Sequence, residues 1–267
     1  MELNNENKTL FIPLYGKALM SKENLFIKDP KAEEIINNID FNFDELKQTK
    51  WLSMYLAIRS RILDDLCSKF ISENPDGVII NLGCGLDSRV LRVNQNYDYW
   101  YDVDFPSVIS LRRNYYEETD RYTMLSNRVE DIDWLDQINK EQKALIIAEG
   151  LTMYLDERKI KNLLGLFENK FVHSTIIFDA YSKSAVTLSK IKNPVNQMNA
   201  KVKWGMDDED DIIALNKNIK FIASYPIRCE EEELESLDKM TRYLFEKLYC
   251  GKCSESLYKI YEFRFNM

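Results

Sequence analysis

The stretch Val78-Ile-Ile-Asn-Leu-Gly-Cys-Gly-Leu-Asp-Ser-Arg89 decides the fold of this 267-residue chain. Its apolar, β-branched start predicts a buried strand over Val78–Leu82 that runs directly into a Gly-x-Gly turn. Gly83 and Gly85 permit positive φ and let a ligand approach the main chain closely. The same pattern also occurs as an ordinary tight turn, so its meaning depends on the residues around it.

The turn lacks the third glycine of a dinucleotide-binding fingerprint, because Leu86-Asp-Ser-Arg-Val90 follows Gly85. That glycine allows close helix–strand packing beneath a pyrophosphate. Its absence, together with the acidic residue after the turn, favours a nucleoside cofactor that carries no phosphate. S-adenosylmethionine fits this description.

The composition is typical of a globular protein, and it disfavours nucleic-acid and membrane partners. Apolar residues make up 45% and charged residues 30% of the chain, and the net charge is −8. A negative chain repels nucleic acid on average, and we find no Lys/Arg cluster interleaved with aromatic residues. No signal peptide is recognisable, and no apolar stretch approaches the roughly 18 residues needed to cross a bilayer, so we expect a cytoplasmic location.

The five cysteines favour reduced thiols, since their number is odd and no secretion signal precedes them. Cys250-Gly-Lys-Cys253 has the spacing of a metal-binding pair, but a structural zinc needs four ligands and a second such pair is absent. We therefore predict no metal site. Cys84, inside the glycine turn, is interpreted as a small residue that fills tight space.

Apolar strands alternate with helical patterns from residue 78 onward, which predicts a doubly wound, mostly parallel, seven-stranded Rossmann-like α/β sheet. An amphipathic helix over 51–71 precedes it, and a polar stretch at about 182–205 predicts an inserted helical lid. The predicted strands are Val78–Leu82, Tyr99–Val103, Tyr122–Leu125, Ala144–Ala148, Thr175–Phe178, Phe221–Ile227 and Leu257–Phe265, the last two as an antiparallel edge pair. Further helices are predicted at 31–38, 107–116, 131–139, 157–169, 207–217 and 230–248.

We expect these elements to form one domain over residues 1–267. Its parts would be an N-terminal helical cap, a cofactor-binding core, a lid with a helix, and closing strands with a helix. The corresponding ranges are 1–75, 76–180, 181–218 and 219–267.

In such a sheet the ligand lies beyond the carboxyl ends of the strands, so acidic residues there are candidates for binding. Asp104 ends the second strand, where a carboxylate can bind both ribose hydroxyls; alternatively it is an N-cap for the next helix. Asp131 follows the third strand and can bind the adenine amine while Ile132 packs on the ring, or it can cap a helix. Glu149 ends the fourth strand, where a buried carboxylate needs either a cationic ligand group or an arginine.

Other enzyme classes lack their usual parts in this sequence. Gly-x-Ser-x-Gly and a P-loop are absent, and His173, the sole histidine, lies at a strand entrance away from the expected cleft. The Asn/Asp-Pro-Pro-aromatic loop of enzymes that methylate nucleic-acid amines is also absent after the fourth strand. Hydrolase, kinase and base-methylating activities are therefore disfavoured.

Together these motifs resemble the leucine carboxyl methyltransferase family, especially its bacterial polyketide-type O-methyltransferases. The likeness covers residues from about 9 to 180. The matching segments are Leu14-Tyr-Gly-Lys-Ala18, Asp29-Pro30, Ala57-Ile-Arg-Ser-Arg-Ile-Leu-Asp-Asp65, Asn81-Leu-Gly-Cys-Gly-Leu-Asp-Ser-Arg89, Tyr101-Asp-Val-Asp-Phe-Pro106 and Ala148-Glu-Gly-Leu-Thr-Met-Tyr-Leu155.

The resemblance implies roles for individual residues. Lys17 and Arg59 are similar to the family's basic pair for the cofactor's carboxylate, which they could hold by charge-assisted hydrogen bonds. Many relatives carry arginine where Lys17 stands. Lysine keeps the positive charge but lacks the planar, forked set of N–H donors that arginine offers to a carboxylate. The remaining implied contacts are Gly83 and Gly85 with the methionine portion and ribose, Asp104 with the ribose, Asp131 and Ile132 with adenine, and Glu149 with the methionine amine.

We therefore predict a class I S-adenosylmethionine-dependent O-methyltransferase that acts on a small-molecule carboxylate or hydroxyl and releases S-adenosylhomocysteine. Tyr154, close after Glu149, could orient the acceptor, or it could belong to the core. Two alternatives stay open. One is carboxyl methylation of a protein C-terminus, as in the family's eukaryotic members, and the other is a non-catalytic protein that binds S-adenosylmethionine.

Overall fold

The computed structural model describes residues 7–93, 96–138, 142–189, 201–229, 231–235, 237–249 and 256–265. Cys250 and Cys253 lie outside the described residues, as does the 190–200 part of the predicted lid. The described part of the chain builds one mixed sheet with helices on both faces.

The sheet has seven strands in the order β3-β2-β1-β4-β5-β7-β6. β1 to β5 run parallel to one another, whereas β7 is antiparallel to both of its neighbours. The predicted doubly wound, mostly parallel sheet is thus confirmed, and β7 lies between β5 and β6 so that β6 forms the edge. The strands are β1 (Val78–Leu82), β2 (Tyr99–Asp104), β3 (Tyr122–Ser126), β4 (Ala144–Ala148), β5 (Ser174–Tyr181), β6 (Lys220–Pro226) and β7 (Tyr258–Phe265).

Ten helices flank these strands within the described residues. They are α1 (Phe11–Lys22), α2 (Pro30–Asn38), α3 (Lys50–Glu73), α4 (Arg89–Arg92), α5 (Pro106–Arg112), α6 (Glu157–Lys170), α7 (Lys183–Ser189), α8 (Asp210–Leu215), α9 (Glu231–Glu235) and α10 (Lys239–Tyr249). Short 3-10 helices span Asn7–Leu10, Phe43–Leu46, Ile132–Gln137 and Thr152–Tyr154. We find no described helix that is both long and apolar enough to span a membrane.

The central strands are buried along their whole length because helices cover both faces of the sheet. Alternate residues of β1 therefore enter two different cores. Ile79 packs in the core that includes α1 and α3, whereas Ile80 packs in the core that includes α6. This two-sided burial explains why β1 and β4 read as continuous apolar runs.

Four predicted helices differ from the structure, and one of them, expected at 207–217, is simply the shorter α8, Asp210–Leu215. The helix expected at 230–248 is two helices, because the Asp238 carboxylate accepts hydrogen bonds from Met240 N and Thr241 N and starts α10 afresh. The helix expected at 107–116 ends at Arg112, and the segment expected at 131–139 is a 3-10 helix, Ile132–Gln137. Of the predicted lid, α7 is helical and residues 201–206 lack regular secondary structure.

Candidate functional site

A cavity of about 710 Å³ opens beyond the carboxyl ends of β1, β2 and β4. The strand order reverses between β1 and β4, which is where open α/β sheets bind their ligands. The predicted site residues that line this cavity are Lys17, Arg59, Gly83, Gly85, Asp104, Glu149 and Tyr154. Asp131 does not line it, and the side chain of Ile132 lies outside the described part of the structure.

The glycine turn forms one wall of the cavity. Gly83 and Gly85 have φ values of 62° and 52°, the left-handed region predicted from the sequence. A Cβ on Gly83 would lie 3.1 Å from Cδ1 of Leu151, so the Leu151 side chain would have to shift by a few tenths of an ångström. The positive φ is therefore the main reason for glycine at this position.

Asp104 is fastened to that turn rather than to the helix that follows it. Its Oδ2 accepts a hydrogen bond from Gly85 N at 2.7 Å, and its Oδ1 accepts one from Phe105 N at 2.7 Å. It forms no side-chain cap on α5, so the structure does not show the N-cap alternative. Burial raises the pKa of Asp104 to about 6, although the two N–H donors act in the opposite direction.

Asp131 is exposed and points away from the cavity. Its N–H closes a tight turn onto the carbonyl oxygen of Arg128 at 3.0 Å, and the side chain of Val129 is buried between them. This turn brings Arg128, Val129 and Glu130 to the cavity wall in place of Asp131. Nor does Asp131 cap the 3-10 helix that follows, so the structure does not show the helix-cap alternative. The contact with adenine stays a prediction.

Glu149 lies on the cavity wall in a buried ion pair with two arginines. Its Oε1 accepts from Arg59 Nε at 3.0 Å, and its Oε2 pairs with Arg89 Nη2. Ser60 Oγ adds a hydrogen bond at 3.2 Å. Burial would raise the pKa of Glu149, but the attraction of the two guanidinium groups outweighs burial and holds that pKa at about 2. The arginine alternative is therefore the one that the structure shows, at a position that still faces the cavity.

Five of the charged side chains that line the cavity, Lys17, Arg59, Asp87, Arg89 and Glu149, belong to one continuous and largely buried network. Lys17 pairs with Asp87, which also contacts Arg89 and Arg92. Connected by ion pairs, the network contains five acidic and four basic side chains, a net charge of −1. Its members are Asp29, Asp64, Asp87, Glu149 and Asp179 with Lys17, Arg59, Arg89 and Arg92.

Three residues that support the site were not predicted. Arg89 pairs with Glu149, Asp179 contacts Arg59 and the loop after β4, and Arg112 holds the glycine turn from behind. A signal existed for Asp179, since it follows an apolar strand run just as Asp104 and Glu149 do. Arg89 and Arg112 lie on helices that follow strands, and their spacing in the sequence does not indicate which residues they contact.

The opposite wall of the cavity is largely apolar and comes from α1, α3 and the segment after β4. Leu14, Leu52 and Leu56 lie here with Tyr154, which is half-buried and also packs against the core. Lys203 N donates to Met153 O at 2.8 Å, which places this residue of the predicted lid beside Tyr154. Among the basic side chains that line the cavity, Lys203 is the one for which the described residues provide no carboxylate partner.

The sequence profile of leucine carboxyl methyltransferases matches residues 3–168, more than half of the chain. The chain belongs to the leucine carboxyl methyltransferase family. The predicted family and enzyme class are thereby confirmed. Leucine carboxyl methyltransferase relatives include the tetracenomycin polyketide synthesis O-methyltransferase TcmP of Streptomyces glaucescens, 30% identical over 223 residues that span 83% of each chain. Another is the S-adenosyl-L-methionine-dependent methyltransferase dpfgK of Gibberella zeae, 29% identical over 79% of this chain and 78% of its own.

Solved structures share the fold of this chain at low sequence identity. A duf574 family protein from Streptomyces avermitilis has a TM-score of 0.63 and 8% identity, covering 88% of this chain and 95% of its own. The magnesium protoporphyrin IX methyltransferase of Synechocystis, solved with bound SAM, has a TM-score of 0.51 and 10% identity, covering 93% of this chain and 96% of its own. These likenesses confirm the Rossmann-like methyltransferase fold.

Proposed function

We propose that this enzyme transfers a methyl group from S-adenosylmethionine to an oxygen atom of a small organic molecule. The observation that carries the proposal is the convergence of Lys17, Arg59, Gly83, Asp104 and Glu149 on one cavity at the switch point of the sheet. Its volume, about 710 Å³, suits a nucleoside cofactor together with a small acceptor.

The residues of the cavity fit the charged groups of S-adenosylmethionine. The cofactor carries a sulfonium, an ammonium and a carboxylate, and the cavity wall holds both carboxylates, among them Glu149, and cations, among them Lys17 and Arg59. The predicted cofactor is also confirmed by the relatives, since the Gibberella protein is described as S-adenosyl-L-methionine-dependent.

Each part of the cofactor has a matching group on the wall. Lys17 and Arg59 would hold its carboxylate, Glu149 its ammonium, and Asp104 its ribose hydroxyls. Arg128, Val129 and Glu130, together with Phe105, form the wall beyond Asp104 and would flank the base. The Arg128 guanidinium lies 5.2 Å from the centre of the Phe105 ring, and the two side chains form one side of the space for the base.

Bound S-adenosylmethionine supplies an activated methyl group on a sulfonium sulfur. The protein then has to exclude water and aim an oxygen nucleophile along the line of that bond. The apolar wall of Leu52 and Leu56 can do the first, and Tyr154 with Lys203 can do the second by orienting an anionic or hydrogen-bonding acceptor. A carboxylate acceptor needs no general base, whereas a hydroxyl acceptor does.

The proposal is tested by methyl transfer from labelled S-adenosylmethionine to small aromatic acids, small phenols and a peptide ending in leucine. We expect label in a small-molecule acid or phenol. Mild base hydrolysis then separates the two products, because a methyl ester releases methanol and a methyl ether does not. The relative from Streptomyces glaucescens, described as a polyketide synthesis O-methyltransferase, supports this choice of acceptors.

Transfer to the peptide alone would replace the proposal with protein carboxyl methylation. Binding of S-adenosylmethionine without transfer to any compound or to a cell extract would instead contradict an active enzyme. As a matched control, Tyr225→Phe removes a tyrosine–carboxylate hydrogen bond to Glu262, 2.7 Å long, between two residues that do not line the cavity. That variant should retain wild-type transfer.

Cofactor affinity should fall as the pH drops below about 6. The pKa of Asp104 is raised to about 6 by burial, so its carboxyl group gains a proton as the pH passes downward through that value. A protonated carboxyl group accepts hydrogen bonds from ribose hydroxyls less well than a carboxylate. We expect the Kd to rise up to about tenfold per pH unit below 6 and to be flat from 6.5 to 7.5, measured by calorimetry.

Asp104→Asn is the control for this dependence, because the amide does not titrate. Its Kd should be higher than that of the wild type at pH 7.5 and nearly constant down to pH 5. An equally steep rise in Kd for Asp104→Asn would show that another group is responsible.

A further inference from the structure

A buried pair lies directly behind the cavity wall, and neither of its members has been assigned a contact with the cofactor. Asp179, on β5, is fully buried, and Tyr258, the first residue of β7, is buried beside it. Neither residue lines the cavity. β5 and β7 are paired antiparallel, which brings the two side chains together from distant parts of the chain.

Asp179 connects two elements of the cavity wall. Its Oδ2 accepts a hydrogen bond from Arg59 Nη1 at 3.0 Å and another from the Tyr258 hydroxyl. Its Oδ1 accepts one from Gly150 N at 2.6 Å, and its backbone oxygen accepts one from Thr152 Oγ1 at 2.6 Å. One residue thus fixes both α3 and the loop that carries Glu149.

The Arg59 guanidinium is held along two edges. Nε and Nη2 face Glu149 at 3.0 and 2.9 Å, while Nη1 faces Asp179 and the Tyr258 hydroxyl, the latter at 2.9 Å. The group also lies against the backbone of Gly150, where a Cβ would be 3.6 Å from Nη1. Without Asp179 and Tyr258, only the edge toward Glu149 would be fixed.

We propose that Asp179 and Tyr258 are positioning residues for cofactor binding: they orient Arg59 and the Glu149–Gly150 turn without touching the cofactor. The inference rests on the proposed function, because it assigns Arg59 and Glu149 to the methionine end of S-adenosylmethionine. Preorganised charged donors bind more tightly since less ordering is needed on binding. Loss of either positioning group should therefore weaken binding more than turnover at saturating cofactor.

Tyr258→Phe is the decisive variant because it removes one hydroxyl and keeps the ring. That ring packs against Tyr55 and Tyr181, with centroid distances of 6.0 and 4.5 Å. We expect the calorimetric Kd for S-adenosylmethionine to rise about five- to tenfold, the loss of a hydrogen bond to a charged group, with kcat changed less than about twofold. Asp179→Asn should raise the Kd further, about thirtyfold or more. Tyr225→Phe, the matched control, should leave the Kd unchanged.

A double-variant cycle separates positioning from general support of the fold. In an Arg59→Met background, Tyr258→Phe should cause no further rise in Kd, because its effect acts through Arg59. A Kd within twofold of the wild type for Tyr258→Phe, with only a lower unfolding midpoint, would overturn the inference even if Asp179→Asn fails to fold. A wild-type protein that binds no S-adenosylmethionine would instead overturn the proposed function, and with it this inference.

Discussion

Replacing Arg112 with methionine is expected to lower the free energy of unfolding by about 3–5 kcal/mol, the usual effect of stranding one partner of a buried ion pair. Arg112 and Asp102 are both fully buried, and their charged groups approach within 2.5 Å. Asp102 retains hydrogen bonds from Asn81, Trp100 and Tyr122 in the variant, but no cation balances its charge. Urea denaturation followed by circular dichroism measures this loss.

The same replacement should weaken cofactor binding about tenfold or more, because the glycine turn loses two hydrogen bonds. Arg112 Nη1 donates to the carbonyl oxygens of Gly85 and Asp87 at 3.1 and 2.7 Å. Tyr116, whose ring lies 3.9 Å from the guanidinium carbon, donates to Leu86 O at 2.9 Å. Of these side-chain hydrogen bonds to the carbonyl oxygens of the turn, the one from Tyr116 would remain. Calorimetry with S-adenosylmethionine in the absence of denaturant tests this second effect.

Arg113→Met is a matched control on the adjacent residue. The Arg113 side chain is 47% exposed, lies 3.7 Å from Glu118 and donates a hydrogen bond to Met124 O at 3.0 Å, so its removal should lower the free energy of unfolding by about 1 kcal/mol or less. The double variant Arg112→Met with Asp102→Asn should be more stable than Arg112→Met, because it removes the stranded charge. If Arg112→Met and Arg113→Met unfold at the same urea concentration, the buried pair does not stabilise the fold.

The rule that ligands bind beyond the carboxyl ends of parallel strands explains how much of the site could be predicted from the sequence. Parallel strands end at one edge of the sheet, so a glycine turn after β1, Asp104 at the end of β2 and Glu149 after β4 must meet there. The strands themselves were predictable because buried parallel strands are continuous apolar runs. Lys17 and Arg59 lie before the sheet, and only their resemblance to a family motif indicated a role.

The same rule points to Asp179, which directly follows the predicted end of β5 at Phe178, although no role was predicted for it. The observed strand extends to Tyr181 and pairs with β7 along its whole length, so Asp179 lies inside it. No local pattern indicates its partners, because Arg59 and Tyr258 are far away in the sequence. Asp131 shows the opposite case, because a tight turn after β3 sends Glu130 rather than Asp131 to the cavity.

Asp104→Ala is expected to raise the Kd for S-adenosylmethionine about a hundredfold or more, since two hydrogen bonds from ribose hydroxyls to a charged group are lost. Asp104 lies on the cavity wall with the Gly85 N–H at its Oδ2. Calorimetry at pH 7.5, where the carboxyl group is ionised, gives the full effect. Asp98→Ala, at the entrance of β2 and away from the cavity wall, is the control and should bind normally.

Stability should respond quite differently to the loss of Asp104. The pKa of Asp104 is about 6 in the folded protein and 3.8 in the unfolded chain. Above pH 6 the carboxyl group is ionised in both states, and its ionisation lowers the free energy of unfolding by about 3 kcal/mol. Below pH 3.8 it is protonated in both states and this cost disappears. Removing it relieves that cost but leaves Gly85 N and Phe105 N without their acceptor, at about 1 kcal/mol each. The free energy of unfolding of Asp104→Ala should therefore lie within about 1 kcal/mol of the wild-type value at pH 7.5. Weak cofactor binding with nearly unchanged stability would show that Asp104 serves the ligand. Normal binding with a large drop in the free energy of unfolding would show that it serves the fold instead.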